Sequence, residues 1–200
     1  MELEKENIIN RQKLVFTSSN KYKRDIFKGI LGNRIDDKYF IEFQTIPDLP
    51  EIQGNCEQVV IDKAIKAYDF IKHPCIVDDE SFLIEELGGF PGPYLKDFEK
   101  NLKTIGIYNL LSKLESDICY PQVNYAVTFD GKNVHVFSGK MKCSSIKPRD
   151  GKENTQNYYE AIKSMNLNKR MEEISEEETL KNKFEMRRIA LEKLINFLNN

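Results

Sequence analysis

Three consecutive carboxylates, Asp78, Asp79 and Glu80, directly follow the short apolar segment 75–77, which we interpret as a buried strand. Like charges in a row repel one another, and a divalent cation would relieve that repulsion. Mg²⁺ prefers one or two carboxylates together with substrate phosphates, and open α/β sheets bind ligands at the carboxyl ends of their strands. The segment fits a metal–phosphate site and an acidic surface turn equally well. Glu51, in a proline-containing loop, is a further carboxylate whose role the local sequence does not settle.

A second candidate site, for an anion, lies in the segment 15–27, whose pattern predicts a strand, a polar turn and a helix. Thr17 and Asn20 fall in the turn, where backbone N–H groups and the helix dipole favour an anion. The first helical turn is basic, which opposes the dipole, and a bound polyphosphate would explain it. The basic residues are Lys21, Lys23 and Arg24. The alternative is that Asn20 only caps the helix and that the basic side chains are solvated.

The elements that must position these residues alternate between strand and helix in the first half of the chain. Periodicity predicts strands at 13–17, 40–46, 75–77, 120–129 and 133–142, and helices at 21–31, 57–71, 94–114, 158–165 and near the C-terminus. Asp130-Gly131 is a strong hairpin signal, glycines and prolines at 88–93 predict a shaped loop, and Gly106 could break the long helix. We therefore expect an α/β fold with a mixed, twisted β-sheet flanked by helices.

The composition restricts both domain number and partners. The 200 residues carry 30 basic and 32 acidic side chains, for a net charge of -2. No global field attracts nucleic acid or an anionic membrane, so bound phosphate must be held by a local group of lysines. The length suits one domain, expected at 13–200 after a flexible N-terminal extension at 1–12.

Cysteine usage and hydropathy bear on the cellular compartment. The four cysteines show no CxxC spacing, which favours free thiols in a reducing environment. The charged N-terminus lacks the apolar centre of a signal peptide, and no apolar run approaches the ~20 residues that span a bilayer. We therefore expect a cytoplasmic protein that has neither a membrane nor a nucleic acid as its partner.

Five segments in this order resemble the inosine triphosphate pyrophosphatase family: VFTSSNKYK, LPEIQG, IDKA, VDDES and LGGFPGPYLKDF. The family patterns include TxNxxK, LPExQG, V(E/D)D(S/T) and LGGxPGxYxK, of which the last is the most specific. The related Maf-type nucleotide pyrophosphatases share the strand–turn–helix opening but lack the glycine–proline loop. The resemblance, close over 15–98, implies hydrolysis of inosine, deoxyinosine and xanthosine triphosphates (ITP, dITP and XTP) to monophosphate and pyrophosphate. It also implies an elongated sheet with two lobes and a central nucleotide cleft, Mg²⁺ as cofactor and a homodimer as the assembly.

The same resemblance assigns roles to residues at matching positions. It implies that Asp79 is the catalytic carboxylate, which holds Mg²⁺ and helps to activate water, with Asp78 and Glu51 as further metal ligands. In the first half it implies that the substrate is bound by Thr17, Asn20, Lys23, Lys63 and Lys96. In the second half the substrate-binding positions are matched by Tyr159, Glu160, Lys181 and Arg187.

The second half departs from the family pattern at positions that would recognise the base. The segment 157–162 lacks the Phe-Gly pair and the proline of the family motif FGWDPIF, and a Ser-His pair has become Glu185-Met186. One donor to a keto oxygen is lost, and Glu185 could accept from an exocyclic amine. We therefore expect a weaker preference for inosine over adenosine triphosphate. The alternatives are a pyrophosphatase with altered base specificity and a catalytically weak nucleotide-binding protein.

Overall fold

The computed structural model describes residues 11–18, 20–35, 38–175, 177–178 and 185–200, which form two compact units. The first unit holds the described residues up to Asp79, together with Asn124–Ser138 and Ala190–Asn200. The second unit holds Glu80–Val123 and the described part of Gly139–Ile189. That 13–200 is a single domain stays a prediction. Of the predicted N-terminal extension, residues 1–10 lie outside the described part of the chain, and the first strand begins at Gln12.

Strands and helices alternate along the first half of the chain, as predicted. The strands are β1 (Gln12–Thr17), β2 (Tyr39–Gln44), β3 (Cys75–Ile84), β4 (Pro91–Gly92), β5 (Cys119–Thr128), β6 (Val134–Lys140), β7 (Cys143–Ser145), β8 (Ile162–Ser164) and β9 (Lys169–Arg170). The helices of the described residues are α1 (Lys21–Leu31), α2 (Cys56–Ile71), α3 (Leu95–Leu111) and α4 (Met186–Asn199). None of these helices combines the length and the apolar character that a membrane crossing requires.

The strands form a sheet in the order β2-β1-β3-β5-β7-β8-β9, with β4 paired to β3 and β6 paired to β5. β1 runs parallel to both of its neighbours. The pairs β3–β4, β5–β7, β7–β8 and β8–β9 are antiparallel. The predicted α/β fold with a mixed sheet flanked by helices is therefore confirmed.

Apolar strands and one face of each helix build the core of the first unit. β1 contributes Val15 and Phe16, both fully buried. The ring of Phe16 stacks on that of Phe27 from α1, with 4.2 Å between the ring centroids. Small residues on α2, Ala64 and Ala67, let that helix pack closely against Val15 and its neighbours. Burying a large apolar side chain contributes about 1.5–3 kcal/mol, so this packing fixes the end of β1 and the start of α1.

β3 is longer than predicted, since it continues to Ile84 instead of ending at Val77. Its parallel ladder with β1 does end there, at the pair Thr17 and Val77. The extension has two partners: β5 pairs with β3 on the side away from β1, and the glycine–proline loop supplies β4, which pairs antiparallel with Phe82 and Leu83. A partner supplied by a loop leaves no periodic signal in the strand itself. Asp78 and Asp79 thus lie inside a strand, just beyond the last residue that pairs with β1.

The long helix α3 breaks at Lys103, whose φ is 56°, and not at Gly106 as predicted. The backbone N–H of Thr104 donates to the carbonyl oxygen of Thr155 at 2.9 Å. The Thr104 hydroxyl donates to the carbonyl oxygen of Asn157 at 3.1 Å. The helix is interrupted because backbone groups that would continue its ladder bind the loop that leads to Tyr158.

The predicted helix at 158–165 is wrong. A 3₁₀ turn, Tyr158–Ala161, is followed directly by the strand β8. The side chain of Asn157 accepts from the backbone N–H of Tyr159 and so starts the turn. β8 then pairs with β7, which takes the backbone groups that a helix would need. The periodicity of so short a segment cannot show that a strand lies beside it.

The hairpin between β5 and β6 supplies a stability prediction. Gly131 has a φ of 72°, and a Cβ built there would lie 2.4 Å from Cδ1 of Tyr68. Gly131→Ala is expected to lower the free energy of unfolding by about 2 kcal/mol, from backbone strain and steric overlap together. The measurement is urea unfolding followed by circular dichroism. Gly151→Ala is the matched control, because its φ is 82° but nothing lies within 4 Å of the added atom. Equal losses in both variants would contradict the role of Tyr68.

Candidate active site

Five charged side chains of the first unit form what we call the acid–lysine cluster: Lys23, Glu51, Lys63, Asp78 and Asp79. Lys63 Nζ lies 3.1 Å from Asp79 Oδ1 and 3.9 Å from Glu51 Oε1. Lys23 Nζ lies 2.9 Å from Asp78 Oδ2. Asp78 and Asp79 are buried, with 3% and 7% exposure, whereas the side chain of Glu51 is 55% exposed. The structure thus brings together five of the residues that the sequence predicted for phosphate and metal binding.

The turn between β1 and α1 is built by local hydrogen bonds. Asn20 Oδ1 accepts from the backbone N–H groups of the second and third helical residues, at 2.9 and 3.4 Å. Arg24 Nη1 donates to the carbonyl oxygen of Ser18 at 2.6 Å. The capping interpretation of Asn20 is therefore confirmed, and Arg24 fastens the turn. Lys23, in the same helical turn, extends to the acid–lysine cluster, while Thr17 ends β1 in a buried position.

The start of α2 fixes the position of Lys63. Asn55 caps this helix in a capping box with the third helical residue. One turn after Lys63, Lys66 Nζ donates to the carbonyl oxygen of Pro50 at 2.6 Å. That bond ties the helix to the loop that carries Glu51. A helix cap and one side-chain bond to the loop thus set how closely Lys63 and Glu51 approach.

Burial and charge oppose one another within the acid–lysine cluster. Burial raises the pKa of Asp79, and the attraction of Lys63 reduces this effect without cancelling it. Burial alone would lower the pKa of Lys63, but the charges of Asp79, Asp78 and Glu51 outweigh it and the pKa is raised. Lys63 is therefore protonated at neutral pH. It places a lasting positive charge beside three carboxylates, which suits a ligand that brings both phosphate and a cation.

The donor atoms of the acid–lysine cluster suit a hard divalent cation, because carboxylate oxygens are the ligands that Mg²⁺ and Ca²⁺ prefer. In the part of the chain that the structure describes, no three His, Cys, Asp or Glu side chains form a group that could hold a metal ion. Mg²⁺ commonly takes only one or two carboxylates and completes its shell with water and substrate phosphates. The two buried aspartates fit such an open site.

A second polar group, the Glu80 cluster, lies in the second unit and comprises Glu80, Tyr158, Tyr159 and Arg187. The hydroxyls of Tyr159 and Tyr158 donate to Glu80 Oε1 at 2.5 and 2.8 Å. Arg187 Nη2 pairs with Glu80 Oε2, and the Arg187 side chain is only 4% exposed. Burial and the neighbouring Glu80 charge raise the pKa of both tyrosines well above its usual value, so both are protonated donors.

The remaining predicted site residues are placed as follows. Lys96 is exposed near the start of α3. Glu160 is 5% exposed and accepts from the Thr155 hydroxyl at 2.9 Å, with Lys152 Nζ 3.4 Å away. Glu160 therefore fastens the loop before it. Lys181 lies outside the described residues.

Glu185 and Met186, which replace the Ser-His pair, are both buried at the start of α4. Glu185 Oε2 accepts from the backbone N–H of Arg188 at 2.9 Å, which caps the helix. Burial raises the pKa of Glu185, and backbone N–H groups partly offset that effect. That Glu185 accepts from a base amine stays a prediction, while the structure gives its carboxylate a capping role.

Glu80 and Tyr158 are the residues of the Glu80 cluster to which the sequence analysis assigned no role, and Glu80 is the one that joins the others. Its signal was present in VDDES, where glutamate occupies the position that is Ser or Thr in the pattern V(E/D)D(S/T). A largely buried carboxylate needs partners, and those of Glu80 come from segments distant along the chain. The departure from the pattern could therefore have drawn attention to Glu80, but not to its partners.

Comparison with known proteins gives the following similarities. A model of the Ham1 family matches residues 14–197. The chain is 32% identical to the inosine triphosphate pyrophosphatase of Schizosaccharomyces pombe over 139 residues, covering 69% of this chain and 71% of that protein. It is 30% identical to the dITP/XTP pyrophosphatase of Korarchaeum cryptofilum over 130 residues, covering 64% and 67%. A solved HAM1 protein from Coxiella burnetii matches with a TM-score of 0.75 at 20% identity, covering 94% of this chain and 98% of that one. This last similarity supports the fold alone.

Proposed function

Because the chain belongs to the Ham1 family, we propose that it is a nucleoside triphosphate pyrophosphatase for non-canonical purine nucleotides such as ITP, dITP and XTP. Water attacks the α-phosphorus, and the products are the nucleoside monophosphate and pyrophosphate. The names of the relatives support the substrate class. The observation that carries the proposal is the acid–lysine cluster, where two lysines and three carboxylates lie together.

In this proposal the cationic residues of the first unit bind the triphosphate. Lys23 and Lys63 neutralise phosphate charge. Lys23 forms an ion pair with Asp78 and Lys63 forms one with Asp79, and both aspartates would also bind the metal. Thr17 and the start of α1 contribute a hydroxyl and backbone N–H groups, which favour an anion at a helix N-terminus. Asn20 acts indirectly, because its side chain already accepts from two helical N–H groups.

The family implies a divalent metal cofactor, and we propose Mg²⁺. Asp78 and Asp79 would hold it, and Glu51, whose exposed side chain forms no ready-made group with them, would join as a further ligand only when metal and substrate bind. The bound ion would polarise phosphate oxygens and neutralise developing charge. Asp79 additionally orients the attacking water. A positioned carboxylate that accepts the water proton contributes roughly 10²–10⁴-fold to a rate. The burial of Asp79 supports this role, because a dry carboxylate keeps a defined position.

For the base and the remaining phosphate contacts we propose residues of the second unit. Tyr159 offers a ring for stacking, Arg187 offers a guanidinium, and Lys96 and Lys181 offer further cations. Glu160 supports the segment that carries Tyr159, through its contacts to the preceding loop. A homodimer in the cytoplasm stays a prediction, as does a nucleotide cleft between two lobes.

A catalytically weak nucleotide-binding protein remains the second candidate, since the Glu80 cluster and the cap at Glu185 depart from the family pattern. The carboxylates favour the enzyme, because a protein that only binds nucleotide gains nothing from placing Asp78 and Asp79 beside phosphate. Buried carboxylates near an anionic ligand weaken binding unless a cation is shared. Their burial therefore supports metal-assisted hydrolysis.

The reaction itself gives the next prediction. With Mg²⁺, the full chain is expected to convert ITP into inosine monophosphate and pyrophosphate in equal amounts. A chelator should abolish turnover, and added Mg²⁺ should restore it, because the acid–lysine cluster alone cannot neutralise a triphosphate and three carboxylates. Chromatography of the nucleotide and an assay for pyrophosphate measure both products. Orthophosphate as the first product would contradict attack at the α-phosphorus. Tight binding without turnover would support the second candidate.

A further inference from the structure

Glu80 is a carboxylate that the proposed reaction does not use. Its Oε2 pairs with Arg187, and its Oε1 accepts from the hydroxyls of Tyr159 and Tyr158 at 2.5 and 2.8 Å. The proposed function assigns Tyr159 and Arg187 to the base. A single carboxylate therefore contacts both of the described residues proposed to recognise the base.

Glu80 fixes the direction of the hydrogen bonds in this cluster. An ionised carboxylate only accepts, so a hydroxyl that contacts it must point its single proton towards it. The oxygen of Tyr159 then offers only lone pairs to any further partner. Without Glu80, the same hydroxyl could donate or accept. The carboxylate thus gives the end of the Tyr159 side chain an acceptor character.

Glu80 also sets the charge of the cluster. It compensates the positive charge of Arg187 directly. Burial and the charge of Glu80 both raise the pKa of Glu99, which accepts from the backbone N–H of Tyr158 at 2.8 Å. The same two charges act on Glu185, which caps α4: the charge of Arg187 lowers the pKa of Glu185 and that of Glu80 raises it. Among the described residues, the charge of Glu80 thus acts on Arg187 and on two further carboxylates, Glu99 and Glu185.

We propose that Glu80 is a specificity-determining residue, which makes the base-binding region accept a neutral purine and disfavour an anionic one. The inference rests on the proposed function, because it takes Tyr159 and Arg187 to be base-binding residues. Hypoxanthine is neutral near neutral pH, whereas xanthine readily loses a ring proton there. Because Glu80 contacts both residues proposed to bind the base, its negative charge would oppose binding of the xanthine anion, and we expect an effect of about tenfold or more in affinity.

The test compares ITP and XTP as substrates of the full chain with Mg²⁺, slightly above neutral pH. The wild type is expected to show a kcat/KM for ITP at least about tenfold above that for XTP. Glu80→Gln keeps the size and an acceptor oxygen but removes the charge, so this ratio should fall to about threefold or less. Both substrates share the same triphosphate, so any general loss of folding or metal binding cancels in the ratio.

Glu99→Gln is the matched control, because it removes a nearby carboxylate charge that touches neither Arg187 nor Tyr159 in the described contacts. In this variant the ratio of kcat/KM for ITP to that for XTP should stay within about twofold of the wild-type ratio. Glu80→Asp, which keeps the charge, should retain most of the discrimination.

Equal kcat/KM values for ITP and XTP in the wild type would overturn the inference even if Glu80→Gln does not fold. An unchanged ratio in a folded Glu80→Gln would overturn it as well. Absence of pyrophosphate from every triphosphate would instead overturn the proposed function, and this inference with it.

Discussion

Asp79→Asn is expected to lower kcat by about 10²-fold or more while the protein stays folded. The asparagine has nearly the same shape and can still accept from Lys63, which lies 3.1 Å from Asp79 Oδ1. It cannot take a proton from water, and it brings no negative charge to a shared metal ion. The chemical step therefore loses its base and part of its metal binding at once. Steady-state release of pyrophosphate from ITP, over a range of Mg²⁺ concentrations, measures the effect.

Two comparisons make this prediction specific. Asp69→Asn changes another aspartate of the same unit, which is 68% exposed and pairs with Lys72 at 3.3 Å, so its rate should match the wild type. Raising the Mg²⁺ concentration should not restore Asp79→Asn fully, because the missing proton acceptor is not a binding defect. An unchanged kcat in Asp79→Asn would assign the catalytic role to another carboxylate of the acid–lysine cluster, such as Asp78. Full recovery at high Mg²⁺ would leave Asp79 as a metal ligand only.

The acid–lysine cluster could be predicted because its positions follow from local structure. Lys23 lies in the first turn of α1, directly after the helix cap. Asp78 and Asp79 follow the last residue of β3 that pairs with β1. When parallel strands are neighbours, their carboxyl ends share one edge. A residue one helical turn past β1 is therefore brought near the residues that follow Val77. Short-range patterns suffice when the chain returns to one edge of a sheet.

The extent of β3 and the break in α3 could not be predicted, because each depends on a partner distant in sequence. β4 lengthens β3, and the loop carbonyl of Thr155 interrupts the helix at Lys103. Gly106 was the better candidate for a break on intrinsic propensity, since glycine is the weaker helix former. Hydrogen bonds to the loop outweigh a propensity difference of about 1 kcal/mol.

The Glu80 cluster was missed for the same reason. Tyr158 lies 78 positions from Glu80, and Arg187 lies 107 positions away. Because Glu80 directly follows two aspartates, the sequence suggested that all three carboxylates share one role. The structure separates the partners of Asp79 from those of Glu80, since one binds a lysine and the other binds an arginine and two tyrosines. The contacts of each side chain, and not its place in an acidic run, therefore decide its role.

Arg187→Met is expected to lower the free energy of unfolding by about 3–5 kcal/mol, the largest stability effect among these variants. The Arg187 side chain is 4% exposed and that of Glu80 is 17% exposed, so the change removes a guanidinium that pairs with a mostly buried carboxylate. The hydroxyls of Tyr158 and Tyr159 still donate to Glu80, which favours the lower end of that range. The chain has no tryptophan, so far-UV circular dichroism in urea is the suitable measurement.

A double-mutant cycle separates loss of the ion pair from loss of packing. Glu80→Gln combined with Arg187→Met should cost less than the sum of the two single changes, because no unpaired charge remains buried. Arg34→Met is the matched control, since Arg34 pairs with Glu192 on the surface, where their side chains are 39% and 32% exposed. A surface pair contributes about 0–1 kcal/mol, so this variant should lose little. Additive losses in the cycle, or a loss in Arg187→Met no greater than in Arg34→Met, would show that Glu80 does not depend on Arg187. The Glu80 cluster would then be a packing feature and not a coupled polar network.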